Sequence, residues 1–301
     1  MNPTRLSCFR CLVEEGSVTQ AARRLCVTQP AVSQQLRQLT EELGCELYHR
    51  RGRKIELTAA GEFVYGKAKG ILSELDGLRQ ELRSRGDRVV GRVRIGSGQV
   101  AAKTVVGDTI QDLSEHCREV SFALFETSSS RLPELILRSR IDLGIGIPPQ
   151  DRKGIRFQQL LTGRLLLICS CQSPLSSRQI ISRRELRKLS LIRHSKENTA
   201  RAIAFDLYGE ADSEASFRLE AMNAETIISY VRRNMGAALA TSHTIDWLRP
   251  DGIATVELEE TVQIPWGVMS DASRPMSKAA NVFVDRLTAQ FPPQDVRVAG
   301  A

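Results

Sequence analysis

The sequence predicts an α/β chain in three parts: an N-terminal winged helix-turn-helix, a long linker helix, and a C-terminal region of two α/β lobes. Three observations lead there. Apolar residues recur at helical spacing on both sides of a tight turn in 18–44, and a basic hairpin pattern follows. A proline-free stretch from 58 to about 86 keeps an apolar seam at alternating spacings of four and three. From residue 91, short β-branched runs alternate with amphipathic stretches.

The first helix is expected over 4–15, with Leu6, Phe9, Leu12 and Val13 on one face and Gly16-Ser17 as its stop. A second, at about 18–25, turns Ala21, Ala22 and Leu25 inward. The turn "CVT" follows, with Val27 expected to plug the angle between helices. Thr28 is the expected N-cap of the third helix and Pro30 falls in its first turn, where a missing N–H costs little. That helix carries Val32, Leu36, Leu39 and Leu43 inward and closes on Gly44. Its other face is unusual for a buried helix. Gln29, Ser33, Gln34 and Arg37 are short or fork-shaped donors and acceptors suited to base edges and phosphates in a DNA major groove.

"ELYHRRGRKIELT" predicts two short strands around a turn at Arg51-Gly52, with Arg50, Arg51, Arg53 and Lys54 at the tip. Four charges beside a recognition helix would release counterions from a phosphate backbone. In the following segment Val64, Ala68, Ile71, Leu75, Leu78 and Leu82 form the seam of a helix that pairs with a second copy of the chain. Gly66, Gly70 and Gly77 each weaken that helix in isolation by roughly 1 kcal/mol relative to Ala.

The strand-like runs "RVRIG", "VSFALFE", "IDLGIGI", "RLLLICS", "LSLIR", "FRLEA", "GAALAT" and "WGVMS" predict parallel sheets with helices between them. "RIGSGQVAAK" places Ser97, Gly98 and Gln99 between a strand end and a helix start, where free N–H groups suit an anion or a carboxylate, although a plain turn reads equally well.

Composition sets the remaining bounds. The 301 residues have room for two or three domains, and 42 Lys and Arg against 35 Asp and Glu leave a net charge of +7, which favours a polyanionic partner without requiring one. Seven cysteines at 8, 11, 26, 45, 117, 169 and 171 show no metal-finger spacing, so a reducing cytoplasm and no metal site are expected. Cys169 and Cys171 are expected to share one face of a strand, poorly placed for a disulfide. No signal-peptide core and no uncharged apolar run of about 18 residues occurs, so neither secretion nor membrane insertion is expected. Hydrolase, metalloprotease and Walker motifs are missing, and His49, His116, His194 and His243 fall in different elements, so no catalytic residue is assigned.

"SVTQAARRLCVTQPAVSQQLRQLTEELGCELYHRRGRKIELTAAGE" resembles the N-terminal domain of the LysR-type transcriptional regulators. The Ala-Ala pair, "VTQPAVS", the "LG" after the third helix and "LTAAG" all stand in register. Gln34 and Thr40 depart from the family's frequent Arg and Glu. The resemblance implies a DNA-binding domain over 1–58, a linker and dimerisation helix over 59–88, and an effector-binding region over 89–301. That region is similar to periplasmic binding proteins, with lobe I at about 89–161 and 267–301 and lobe II at about 162–266. It adds Pro30 to the DNA-contacting set and places Ser97, Gly98, Gln99, Thr127 and Ser128 from one lobe, with Asn198, Thr199 and Thr226 from the other, around an effector cleft.

The implied protein is a cytoplasmic, sequence-specific regulator with no cofactor. Its partners would be double-stranded DNA, a polar or anionic small-molecule co-inducer, a second copy in a homodimer or a tetramer built as a dimer of dimers, and RNA polymerase, with no membrane. The alternatives are a redox-responsive or effector-independent regulator, and a small-molecule-binding protein or enzyme with an acquired N-terminal domain.

Overall fold

The computed structural model describes residues 1–51, 54–83, 88–189, 191–195 and 217–291. The chain divides into two compact units, Met1–Arg85 and Gly86–Ala301.

The first unit starts with helix α1 (Pro3–Glu15), capped by the Asn2 side chain, which accepts from Thr4 N–H at 2.9 Å, and ended by Gly16 at φ +65°. Helix α2 (Val18–Arg24) and helix α3 (Gln29–Leu43) follow. Leu6, Phe9, Leu12, Ala21, Ala22, Val32, Leu36 and Leu39 are buried together, so the spacing read from the sequence is the packing observed. Thr28 stands at the N-cap of α3 by its backbone, but its hydroxyl makes no capping bond. Val27 does not plug the helix angle: its side chain is 48 % exposed, because Cys26 turns through φ +56° and directs the chain outward. Leu25 packs against the core in its place.

Strands β1 (Tyr48–Arg51) and β2 (Lys54–Leu57) form the antiparallel wing, in register from Tyr48↔Leu57 to Arg51↔Lys54. Helix α4 (Ala59–Arg83) follows at once. The Thr58 hydroxyl accepts from Gly61 N–H at 3.0 Å and donates to the Glu46 carbonyl at 2.7 Å, which ties the helix start to the chain entering the wing. Any Cβ at Gly61 would overlap the Leu47 carbonyl, so only glycine lets the helix begin this close to the wing. Ala68 and Leu72 are buried in the core of this same unit and Val64 packs against it. The first part of the expected intermolecular seam is therefore intramolecular, and Ala68, with no exposed surface, is removed from it. Ile71 and Leu78 remain exposed, at 40 % and 53 %, Leu75 is half-buried, and the Leu82 side chain lies outside the description.

In the second unit, strands β3 (Gly91–Ser97), β4 (Val120–Glu126) and β5 (Leu143–Gly146) are mutually parallel, with β3 central. Helices α5 (Gln99–Lys103), α6 (Val105–His116) and α7 (Leu132–Leu137) connect them. The long strand β6 (Ile155–Ser170) then crosses out of this lobe. Beyond the short strand β7 (Ile180–Ile181) and helix α8 (Arg183–Leu186), strands β8 (Leu191–His194) and β9 (Phe217–Ala221) form a separate parallel pair. Helix α9 (Ala224–Arg232), strand β10 (Ala238–Thr241), helix α10 (Ser242–Leu248) and strand β11 (Ile253–Leu258) complete lobe II. Strand β12 (Gln263–Asp271) returns the chain to lobe I, where helix α11 (Lys278–Thr288) packs on α6 and β3.

The main sheet runs β4-β3-β5-β12-β6-β11-β7, with β10 also on β6. It is mixed where wholly parallel sheets were expected: β12 is antiparallel to both β5 and β6, and β10 and β11 are antiparallel to β6. The cause is topological, since β6 leaves lobe I and β12 re-enters it, so the two run in opposite directions side by side. The C-terminal half of β6 is buried almost without a break, which is why "LLLICS" carries no period-two signature.

Candidate nucleic-acid interface and ligand cleft

Helix α3 turns Val32, Leu36 and Leu39 into the first unit's core, so its opposite face must be solvent-facing. Gln29, Pro30, Gln34 and Arg37 are exposed there and Ser33 is half-exposed. Pro30 in the first turn leaves no unused N–H at its own position, while Gln29 sits where side chains project beyond the helix end. The Gln29 side chain is not free to wander: the Thr19 hydroxyl of α2 donates to its Oε1 at 3.2 Å. Sequence reasoning missed this partner, because Thr19 lies ten residues away and only the helix angle brings the two together.

The wing flanks this face. A cleft of about 360 Å³ between α3 and the wing is lined by Arg37, Thr40, Glu41, Glu46, Leu47, Tyr48 and His49. Tyr48, Ile55 and Leu57 anchor the hairpin by packing against the core. Arg50 pairs in register with Ile55, and Arg51 with Lys54; Arg53 lies outside the described residues.

In the second unit, Ser97 ends β3 fully buried, and its carbonyl accepts from Thr127 N–H at 2.9 Å. Gly98 is the N-cap of α5 and Gln99 its first residue. Ser128 is half-exposed, its hydroxyl 2.8 Å from that of Ser130. The ends of β3 and β4 thus bring Ser97, Gln99, Thr127 and Ser128 into one region of lobe I. From lobe II, Thr226 stands in the first turn of α9, but its N–H is already taken by the Asn223 side chain at 2.8 Å. Its neighbour Glu225 reaches Lys103 of α5 at 2.7 Å, so the start of α9 and α5 face each other across the lobes. Asn198 and Thr199 lie outside the described residues.

Cys169 is buried within β6, but Cys171 lies beyond the strand end and is exposed, so the two do not share a face. The strand stops at Ser170, where Cys171 N–H bonds the Gly252 carbonyl. Burial pushes the Cys169 thiol up, as it does those of Cys8 and Cys11. His243 is also buried, and burial lowers its pKa to about 4, so the ring is neutral at neutral pH. Among the described residues, no helix is long and apolar enough to cross a membrane.

Two family models match successive parts of the chain: "Bacterial regulatory helix-turn-helix protein, lysR family" over residues 3–62, and "LysR substrate binding domain" over residues 86–292. The transcriptional activator CmpR of Synechocystis sp. is 27 % identical over 283 residues, 93 % of each chain. AlsR of Bacillus subtilis, a transcriptional regulator, is 33 % identical over 199 residues, 65 % of each. Among solved structures, a full-length OxyR variant from Pseudomonas aeruginosa superposes with a TM-score of 0.75 at 20 % identity, covering 95 % of this chain and 94 % of that one. Full-length CbnR in complex with its target DNA gives 0.63 at 19 % identity, covering 96 % and 99 %. The chain belongs to the LysR family of DNA-binding transcriptional regulators, with a helix-turn-helix unit followed by a substrate-binding domain.

Proposed function

We propose that the outer face of α3 reads base edges through Gln29, Ser33, Gln34 and Arg37, with the wing holding the phosphate backbone. The observation that carries this reading is the division of α3 itself: Val32, Leu36 and Leu39 are buried, while the Gln and Arg side chains stand on the exposed face. Arg37 and the amides can each make paired bonds to a purine edge. Band-shift titration tests it. Arg37→Ala should weaken selected duplexes by ~1–3 kcal/mol more than random duplexes.

A small polar or anionic effector binds between the lobes, near Ser97, Gln99, Thr127 and Thr226, and shifts the balance between lobe arrangements in proportion to its differential affinity. The Lys103–Glu225 pair, which joins a helix of each lobe at 2.7 Å, supports this reading. The protein works in the cytoplasm, without a cofactor and without catalysis, as a dimer or a dimer of dimers assembled through α4, and acts on RNA polymerase from its DNA site. Ligand-induced thermal shift across a panel of metabolite carboxylates tests the effector reading.

A redox-responsive regulator is the second reading. Burial of Cys8, Cys11 and Cys169 disfavours their reactive thiolates and speaks against it.

A further inference from the structure

We propose that His243 is a positioning residue at the hinge between the two lobes, and that its ring, seated on Gly163, couples the twist of the crossing strands to the contact between α10 and α5.

The crossing is formed by β6 and β12. In lobe I, β6 from Ile155 to Leu161 pairs with β12; in lobe II, from Leu165 to Ser170, it pairs with β10 and β11. Between these, Gly163 pairs with Ile264 and Thr162 with Pro265, and the register slips between Trp266 and Gly267. Any change of angle between the lobes must pass through this short stretch, because β6 is held by its ladder with β12 on the lobe I side and by β10 and β11 on the lobe II side, while β12 starts at Gln263 within the stretch itself.

Helix α10 is pinned to that stretch by its first two residues. The Ser242 hydroxyl accepts from Arg164 N–H at 3.1 Å. The His243 ring lies so close to Gly163 that a Cβ there would collide with Nδ1. That nitrogen is buried and, among the described residues, has no hydrogen-bond partner, so what the described residues place against it is the shape of its surroundings. The rest of the ring is fixed: Nε2 lies 3.0 Å from the Thr241 hydroxyl, and the ring centroid is 5.0 Å from Trp247 and 6.1 Å from Trp266. The two tryptophans meet edge to face at 4.9 Å. From this pinned end α10 extends to pack on α5, which belongs to lobe I. A twist at Gly163 therefore moves the ring, and the ring moves a helix that touches the other lobe. Leaving an imidazole nitrogen unbonded in the interior costs free energy, and a site that served packing alone would be better filled by an apolar side chain.

The regulatory meaning of this coupling rests on the effector reading above, but its test needs no effector and fails or succeeds independently. Amide hydrogen exchange is measured on the full chain for wild type, Gly163→Ala, His243→Ala and the double variant. Gly163→Ala should displace the ring and raise exchange about tenfold or more in 161–164 and 263–266 and also in α5, in the opposite lobe. In the His243→Ala background the same change should have little effect, within about twofold, since the ring it would strike is gone. The tryptophans add a second signal, because Trp247 and Trp266 are the chain's two. Acrylamide quenching should rise in Gly163→Ala. If Gly163→Ala does not fold, His243→Ala alone carries the test through α5. Exchange in α5 that stays at the wild-type level in every variant, or a Gly163→Ala effect independent of residue 243, overturns the proposal.

Discussion

The Lys103 ammonium and the Glu225 carboxylate meet at 2.7 Å and join a helix of lobe I to a helix of lobe II. Both side chains are well exposed, at 51 % and 39 %, so solvent screens most of the attraction. Glu225→Gln should therefore cost less than ~1 kcal/mol of unfolding free energy, and the difference should shrink further in high salt. Urea titrations at low and high salt measure both. A loss several times larger would mean that this pair holds the lobes together.

Two glycines of one helix should answer alanine substitution with opposite signs. A Cβ at Gly61 meets the Leu47 carbonyl, whereas one at Gly66 meets no neighbour among the described residues within 4 Å. Gly61→Ala should destabilise the first unit by ~1–3 kcal/mol or push α4 away from the wing. Gly66→Ala should stabilise it by ~0.5–1 kcal/mol, the helical preference of alanine over glycine. Equal effects at both sites would contradict the close approach of Gly61 to Leu47.

His243 should make stability fall as the solution is acidified. Its folded pKa is depressed to about 4 from an ordinary 6.5, so the unfolded chain takes up the proton first. The stability linked to the neutral ring is complete above pH 6.5 and is lost progressively as pH falls toward 4. The gap between those values corresponds to ~3 kcal/mol. Because carboxylates titrate in the same range, the quantity to follow is the difference between wild type and His243→Gln. That difference should change with pH between 6.5 and 4.5 and be flat above it. A constant difference would place the ring in contact with water.

The exposed part of α4 should mediate self-association. Ile71 and Leu78 stand exposed, at 40 % and 53 %, whereas Ala68 and Leu72 are buried in the core of their own unit. Ile71→Glu with Leu78→Glu should dissociate the assembly in sedimentation velocity while leaving the fold of the first unit intact, since neither residue belongs to its core. An unchanged sedimentation coefficient would remove α4 from the interface.

The first unit was legible wherever one face of a helix alternates sharply with the other. Val32, Leu36 and Leu39 against Gln29, Gln34 and Arg37 define both what is buried and what is offered. Linear spacing fails where a contact depends on the angle between elements. Val27 reads as apolar and inward, yet the left-handed turn at Cys26 carries it out; Ala68 fits a seam between copies, yet the docking of α4 consumes it. In the second unit the strand runs were readable, but their directions were not. A run such as "LLLICS" looks the same in a parallel and an antiparallel sheet once both faces are covered. Strand β11, "IATVEL", passed unnoticed because only its later residues are buried. The hinge could not be foreseen at all, since His243 and Gly163 are eighty residues apart and neither stands in a recognisable motif.

The reading of DNA by the outer face of α3 is tested most directly by selection from a randomised duplex pool with the full chain, followed by titration of the enriched duplex. Wild type should enrich one defined motif. Gln29→Ala and Arg37→Ala should each lose ~1–3 kcal/mol on that motif and tolerate base changes at the positions they contact, while random duplex is bound almost as before. Enrichment of the same motif with wild-type affinity by both variants would contradict the account, because the residues that distinguish this face from an ordinary solvated helix would then play no part in reading DNA.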